Sequence, residues 1–272
     1  MTEAVLRISE AASLEMLPIY SSLKRNYAQP FYSFVPGDSL LQEDAMKSGR
    51  LDLGLVSSFA LASDPGPYLI LPGLGLASRG PVGFALLFSD ILLEDLDEMA
   101  ISESPFSSDT STALVKVILG KYLQYTNEFE TTWAGADAHI LVGDSALRER
   151  MLDRYPYTYD LGELWHHYTG QPLIFSLWMV RADAAQEKRD MIRLFYRSLK
   201  YAVEEAGQDW KGLAEELDGY DWIKKEEVVK FWKNIDYQLA DEHYQGLTRF
   251  YEDASEIGLI ENVPEPQFLE FK

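Results

Sequence analysis

The sequence has no cysteine, few basic residues and no long hydrophobic run. The absence of cysteine excludes disulfides, thiolate metal sites and cysteine nucleophiles. With 24 basic residues against 44 acidic ones, the formal net charge is -20, so the basic surface that nucleic acids and anionic membranes require is missing. The longest apolar runs fall well short of the ~20 residues of a membrane helix. We therefore expect neither nucleic acid nor membrane as a partner.

Targeting signals and nucleotide motifs are also missing. The first eight residues show neither the basic region nor the apolar region of an export signal, which predicts a cytoplasmic protein. No phosphate-binding loop, zinc-protease motif or nucleophile elbow occurs. The glycine-rich segment 72–80 lacks the strand, glycine pattern and helix order of a dinucleotide site, so we predict a turn between strands there.

The residues that are present predict an α/β protein. At 272 residues with 47% hydrophobic and 13% aromatic content, the chain is long enough for one or two domains with a full core. The first two thirds alternate between short apolar runs and segments of helical periodicity. Strands are predicted at 5–8, 51–56, 68–71, 82–88, 99–101 and 138–142, and helices at 17–27, 39–48, 114–125 and 145–152. This alternation predicts mainly parallel sheets covered by helices.

The last third is predicted to be helical, because apolar residues recur at helical spacing over 191–203, 228–239 and 244–257. We predict a first lobe formed by residues 1–92 and 179–272, and a second lobe formed by residues 93–178. The C-terminal helices would pack on the first lobe. Two crossovers between lobes imply a cleft, where ligands of α/β proteins bind at strand ends and helix N-termini.

Three turns from strand to helix carry hydroxyl or carboxyl groups that would line such a cleft. They hold Ser57 and Ser58, the run 107–111 with Thr110 and Ser111, and Asp144. Hydroxyls and free backbone N–H groups at a helix N-terminus suit a carboxylate ligand. The alternative for each turn is ordinary capping of the helix that follows.

The only adjacent histidines are His166 and His167, and Glu163 lies four residues before His167. On a helix this places one carboxylate and one imidazole on the same face. Two ligands make a weak metal site, so we interpret the pair as helix surface, with metal binding or general-base work as the alternative.

The segment 160–178 reads D-L-G-x-x-W-x-x-x-T-G-x-P-x-x-F-x-x-W, which resembles the signature of the chorismate dehydratase (MqnA) family of the futalosine route to menaquinone. The resemblance continues in order along the whole chain, in segments 80–82, 87–89, 143–148, 250–260 and 263–265. It implies two α/β lobes around a central cleft, as in type 2 periplasmic-binding proteins.

By this resemblance the protein is a lyase that removes water from chorismate to give 3-[(1-carboxyvinyl)oxy]benzoate, without a metal or organic cofactor. Its substrate would be a small anionic aromatic precursor. The substrate-binding residues would be Ser57, Ser58, Thr110 and Ser111. Asp144 would handle a proton or orient the substrate.

Two positions depart from the family pattern. Where the family phrase Y-L-N-x-x-P has asparagine, this chain has Glu15, and where G-P-V-x-S-V has serine, it has Phe84. We expect both side chains at the substrate. Glu15 would be protonated, turned away, or used as the catalytic base. The alternative is a non-catalytic or redirected binding protein whose ligand is altered by Glu15 and Phe84.

Overall fold

The computed structural model describes residues 5–11, 13–64, 66–103 and 108–271. Its strands are Leu6–Ala11 (β1), Tyr32–Gly37 (β2), Leu53–Ser57 (β3), Tyr68–Ser78 (β4), Ala85–Ser89 (β5), Ala100–Glu103 (β6), Glu128–Glu130 (β7), Ala138–Val142 (β8), Tyr157–Asp160 (β9), Leu173–Arg181 (β10) and Asp236–Gln238 (β11). Its α-helices are Leu17–Asn26 (α1), Ser39–Lys47 (α2), Ala60–Ser63 (α3), Asp109–Val117 (α4), Gly143–Leu152 (α5), Leu161–Thr169 (α6), Ala182–Glu187 (α7), Arg189–Gln208 (α8), Trp210–Glu215 (α9), Lys225–Lys233 (α10) and Asp241–Glu256 (α11). A 3-10 turn at Leu93–Asp95 and a π-helical segment at Ile118–Leu123 complete these elements.

The described strands form two sheets, one in each lobe. The first has the order β11-β4-β10-β3-β1-β2 and the second the order β7-β6-β8-β5-β9. The prediction of an α/β protein with two lobes is confirmed, but the prediction of mainly parallel sheets is wrong. In the first sheet β1 is parallel to β2 and β3, whereas β10 is antiparallel to β3 and β4. The reason is that β10 returns from the second lobe and lies between β3 and β4, antiparallel to both.

The chain crosses between the sheets at residues 79–84 and again at 170–172. Strand β4 belongs to the first sheet and β5 to the second, while β9 belongs to the second and β10 to the first. The predicted lobe boundaries at 92 and 178 therefore fall after β5 and inside β10. Sequence periodicity predicted strands at 68–71 and 82–88, which overlap β4 and β5, but it predicted neither β9 nor β10, and it did not show which strands pair.

The glycine-rich segment is mostly strand, so the predicted turn at 72–80 is wrong. Strand β4 continues to Ser78, with register shifts opposite β10. Gly73 adopts a φ of 72°, and a side chain on Gly75 would lie 2.7 Å from Ser176 O. These glycines serve an irregular strand that approaches its neighbour closely. The helix predicted over 228–239 likewise ends at Lys233, and β11 follows it.

The C-terminal helices cover the first lobe, as predicted. Helix α8 packs on α1, α7 packs on β10 and β4, and α11 packs on β10 while also touching α4 of the second lobe. In α8, Ile192, Phe195, Leu199 and Ala202 form its buried face, at the helical spacing seen in the sequence. None of the described helices combines the length and apolar character needed to cross a bilayer.

Candidate functional site

A cavity of about 420 Å³ lies between the two lobes. First-lobe strands supply Ala11 and Gly37 at the ends of β1 and β2, and Ser176 within β10. The first crossing supplies Phe84, and the second lobe supplies the segment 142–145. This volume lies within the range of small-molecule sites, which is roughly 300–1,000 Å³. A ligand in this cavity would therefore contact both lobes.

Two helices begin at this cavity. Helix α2 follows its cap residue Asp38, whose carboxylate accepts a hydrogen bond from Leu41 N at 2.9 Å. Helix α5 begins at Gly143, which also lines the cavity. The first N–H groups of a helix lack intrahelical partners and carry the positive end of its dipole, so they favour an anionic ligand. No lysine, arginine or histidine is among the described lining residues.

Glu15 is the most deeply buried carboxyl group of this cavity, with 8% of its surface exposed. Its Oε1 accepts a hydrogen bond from Ser13 Oγ at 2.7 Å. Its Oε2 is buried and has no hydrogen-bond partner in the described part of the chain. Burial raises the pKa of Glu15 to about 7; the charge of Asp144 adds to the rise, while the Ser13 hydrogen bond opposes it. Near neutral pH the carboxyl group is therefore divided between its neutral and charged forms.

The backbone around Glu15 is held by two aromatic side chains from the C-terminal third. Trp232 Nε1 donates a hydrogen bond to Leu14 O at 2.7 Å, and the Tyr237 hydroxyl donates one to Glu15 O at 2.5 Å. Both donors are buried. Neither was predicted from the sequence, because more than 200 residues separate each donor from its acceptor.

Asp144 lies in the first turn of α5 and lines the same cavity. Its Oδ1 accepts a hydrogen bond from Leu14 N at 2.9 Å, so this carboxylate joins the second lobe to the segment that carries Glu15. Burial raises the pKa of Tyr220, and the neighbouring charge of Asp144 and a hydrogen bond to it add to the rise. The two predicted catalytic carboxyl groups thus share one cavity, and their catalytic roles stay predictions.

Phe84 forms an apolar wall of the cavity. Its ring packs edge-on against Phe175 at a centroid distance of 5.2 Å, and against Phe231 at 6.4 Å. The side chain is 5% exposed. An apolar ring at this position removes the polar contact that a serine would offer, and it suits the face of a planar ligand.

Ser57, Ser58 and Thr110 meet where the lobes touch, but they are not among the residues that line the cavity. Thr110 Oγ1 lies 2.7 Å from Ser57 Oγ and 3.1 Å from Ser58 Oγ. Ser58 Oγ donates to Ile174 O at 2.6 Å, and Thr110 Oγ1 donates to Phe175 O at 3.0 Å. All three hydroxyls are buried and bonded within the protein. Their contact with a ligand stays a prediction.

Ser111 is also buried, and it belongs to the cap of α4. Ser108 Oγ accepts a hydrogen bond from Ser111 N at 3.2 Å and lies 2.9 Å from Ser111 Oγ. The alternative interpretation of this turn as helix capping is therefore realised by Ser108, which also lines the cavity. Ser107, in the same predicted run, lies outside the described residues.

Ser13 and Gly143 were not predicted as site residues. A methyl group built on Gly143 would lie 3.5 Å from Glu15 Oε1, and Gly143 has a φ of 62° that side chains rarely adopt. Its position at the turn between β8 and α5 was a usable sequence signal. Ser13 had no such signal, since a serine two residues from a glutamate is common.

The residues of the 160–178 signature build the crossings between the lobes. Asp160 caps α6 and also accepts hydrogen bonds from Val82 N at 2.9 Å and Gly83 N at 2.7 Å. Trp165 is buried and donates from Nε1 to Pro172 O at 3.2 Å. One short helix thereby holds both crossing segments, which gives the signature a structural role.

His166 and His167 are exposed on α6, together with Glu163. Among the described residues, no group of three or more histidine, aspartate or glutamate side chains is arranged to hold a metal ion. The histidines therefore occupy the helix surface, as the first interpretation predicted.

A sequence profile of a family described as "Menaquinone biosynthesis" matches residues 6–256. The match begins at β1 and ends at the last residue of α11. It therefore includes both sheets, both crossings and the cavity.

Several solved structures share the fold. Protein AF1704 from Archaeoglobus fulgidus is 17% identical, with a TM-score of 0.67 over 96% of this chain and 100% of that chain. The CA3427 gene product of Candida albicans, described as having the generic periplasmic binding protein fold, is 11% identical, with a TM-score of 0.71 over 98% of each chain. The alkanesulfonate-binding protein SsuA from Xanthomonas axonopodis pv. citri, bound to MOPS, is 14% identical, with a TM-score of 0.67 over 97% of this chain and 96% of that chain. At these identities the likeness shows the fold alone, and the predicted periplasmic-binding-protein-like fold is confirmed.

Proposed function

The chain belongs to the menaquinone biosynthesis family, and from this membership we propose that it is a cofactor-independent lyase that dehydrates chorismate to 3-[(1-carboxyvinyl)oxy]benzoate. The observation that carries the proposal is the interlobe cavity, in which Glu15 and Asp144 lie beside the first turns of α2 and α5. A cytoplasmic location is part of the same proposal.

The reaction breaks one ring C–H bond and the C–O bond of the neighbouring hydroxyl. The electron pair of the C–H bond becomes the third double bond of the ring, and the hydrogen and the hydroxyl leave together as water. Because the ring becomes aromatic, the protein needs only to position the substrate and to move a proton. Asp144 is the side chain proposed to take the ring hydrogen and to pass it to the leaving hydroxyl, and Glu15 is proposed to orient the substrate.

The substrate carboxylates are proposed to lie at the N-termini of α2 and α5. Backbone N–H groups hold anions without a basic side chain, and none of the described lining residues is basic. An alkanesulfonate-binding protein of the same fold is described as bound to MOPS, which is itself a sulfonate. For Ser57, Ser58, Thr110 or Ser111 to bind substrate, each must exchange a present hydrogen bond for one to the ligand.

Incubation of the purified protein with chorismate is expected to yield a product lighter by one molecule of water, detected by mass spectrometry. The product should be aromatic by its ultraviolet spectrum, and it should form without added metal or cofactor. Chorismate that remains intact beyond the rate of a protein-free sample would contradict the proposed activity.

Asp144→Asn is expected to lower kcat by about a hundredfold, because general acid–base groups contribute ~10²–10⁴ to a rate. The amide oxygen can still accept the Leu14 N–H, so the contact between the lobes is retained while the charge is lost. Asp38→Asn is the matched control, since it removes another carboxylate that lines the same cavity and caps α2. Equal losses in the two variants would argue against a specific role for Asp144.

The second function is a redirected binding protein with a less anionic aromatic ligand. It is favoured by the carboxylate of Glu15 and the apolar ring of Phe84, which both line the cavity. A thermal-shift panel of chorismate, futalosine and neutral aromatic compounds separates the two functions. Stabilisation by a neutral compound, without turnover of chorismate, would favour the binding protein.

A further inference from the structure

Glu15 lines the cavity, and its buried Oε2 has no hydrogen-bond partner among the described residues. Because Oε1 already accepts the Ser13 hydroxyl hydrogen, a proton carried by the neutral acid belongs on Oε2. That proton has no acceptor in the described protein, and a buried donor without an acceptor costs free energy. An acceptor oxygen of a ligand in the cavity would complete the site.

The charges around Glu15 oppose its ionisation beside an anion. Asp144 of α5 and Asp38 at the start of α2 also line the cavity, and no lysine, arginine or histidine is among the described lining residues. Tyr220 and Tyr237 are the further titratable groups that interact with Glu15. If an ionised Glu15 lay ~5 Å from a ligand carboxylate at an effective dielectric of ~20, the repulsion would weaken binding by about a hundredfold or more. Nothing in the described lining offsets that repulsion with a positive side chain.

We infer that Glu15 binds a carboxylate of the ligand in its protonated form, so that binding of an aromatic carboxylate takes up one proton. This inference rests on the proposed function only for the class of ligand. The Oε2 hydrogen is the donor and a ligand carboxylate oxygen is the acceptor, and such charge-assisted hydrogen bonds are short and strong.

The pKa of Glu15 is consistent with proton uptake on ligand binding. Burial raises its pKa to about 7, so protonation at neutral pH costs little, and an anion that binds next to it raises the pKa further. Glu15 is then a specificity residue: as a neutral donor it selects a hydrogen-bond acceptor at this place. An amine would bind best to the ionised form and would release a proton instead.

Titration calorimetry tests the linkage with two probes, benzoate and 3-[(1-carboxyvinyl)oxy]benzoate, neither of which can lose water by the proposed reaction. For the wild-type protein, affinity is expected to fall about tenfold per pH unit above pH ~7. Buffers of different ionisation enthalpy should report uptake of about one proton near pH 8.5. Glu15→Gln keeps a donor without a titrating proton, so its affinity should not change over this range and should exceed that of wild type about thirtyfold at pH ~8.5.

Asp38→Asn is the control for general loss of negative charge, and it should retain the wild-type pH dependence. A second measurement uses carboxyl-labelled glutamate: the NMR midpoint of the Glu15 resonance, assigned with Glu15→Gln, should rise when benzoate saturates the wild-type protein. Binding without proton uptake, binding with proton release, or no binding of either probe at millimolar concentration would overturn the inference. If the probes bind with proton uptake and chorismate is not dehydrated, the inference stands and the proposed activity fails.

Discussion

Gly246→Ala is expected to lower the free energy of unfolding by about 3 kcal/mol, although alanine is the better helix former. Gly246 lies inside α11, where it faces the second crossing between the lobes. A Cβ built there would lie 2.0 Å from Pro172 O and 3.1 Å from Pro172 C. Both neighbours are backbone atoms, so the helix and the crossing segment must move apart. Urea unfolding of the variant and the wild type measures the loss.

Gly207→Ala is the matched control, because Gly207 lies in the last turn of α8 and a Cβ there would meet nothing within 4 Å. Helix propensity then acts without a clash, and the variant should be more stable by about 0.5–1 kcal/mol. If both variants gained stability, the close approach of α11 to Pro172 would not be the reason for the glycine.

Glu43→Gln is expected to stabilise the protein by about 3 kcal/mol more at pH 8 than at pH 5. Glu43 is a buried residue of α2. Burial raises its pKa to about 8, and the charge of Asp109, on α4 of the second lobe, adds to the rise. The folded state therefore holds a proton that the unfolded state releases at lower pH. The stability that this bound proton contributes is fully present below pH ~4.5 and is lost as the pH rises toward 8. A glutamine has no such proton to lose, so the variant keeps its stability over this range.

Urea unfolding at the two pH values measures the difference between Glu43→Gln and wild type. Asp44→Asn, the adjacent and exposed carboxylate of the same helix, is the control. Its effect should stay within about 0.5 kcal/mol at both pH values. A Glu43→Gln effect that is equal at pH 5 and pH 8 would contradict protonation of Glu43 in the folded protein.

Much of the local structure was predictable from residue patterns. The helical spacing around Phe195 predicted the buried face of α8, and the turn after Val142 was correctly placed before a helix. Glu15 and Asp144 were both singled out, and they lie in one cavity. The helix and the turn could be predicted because hydrophobic periodicity and turn residues depend on only a few neighbouring positions. The two carboxyl groups were found because the family motifs occur in the same order along this chain.

The environment of the predicted hydroxyls was not predictable in this way. Thr110 had the sequence context of a ligand-binding residue, yet its hydroxyl contacts Ser57, Ser58 and Phe175 O across the lobes. A motif shows that a hydroxyl group is present. It does not show whether that hydroxyl is already hydrogen-bonded to a residue more than fifty positions away.

The amino-acid sequence alone was sufficient to exclude cysteine chemistry and to establish the acidic net charge. It was also sufficient to predict the alternation of strands and helices and to identify the family. Tertiary packing alone decided that β10 runs antiparallel to β3 and that the chain crosses between the lobes at 79–84 and 170–172. It also decided that Glu15 is buried, with no hydrogen-bond partner for Oε2 among the described residues. The physical reason is that composition and periodicity act locally, whereas strand pairing, burial and a shifted pKa depend on which distant segments come together.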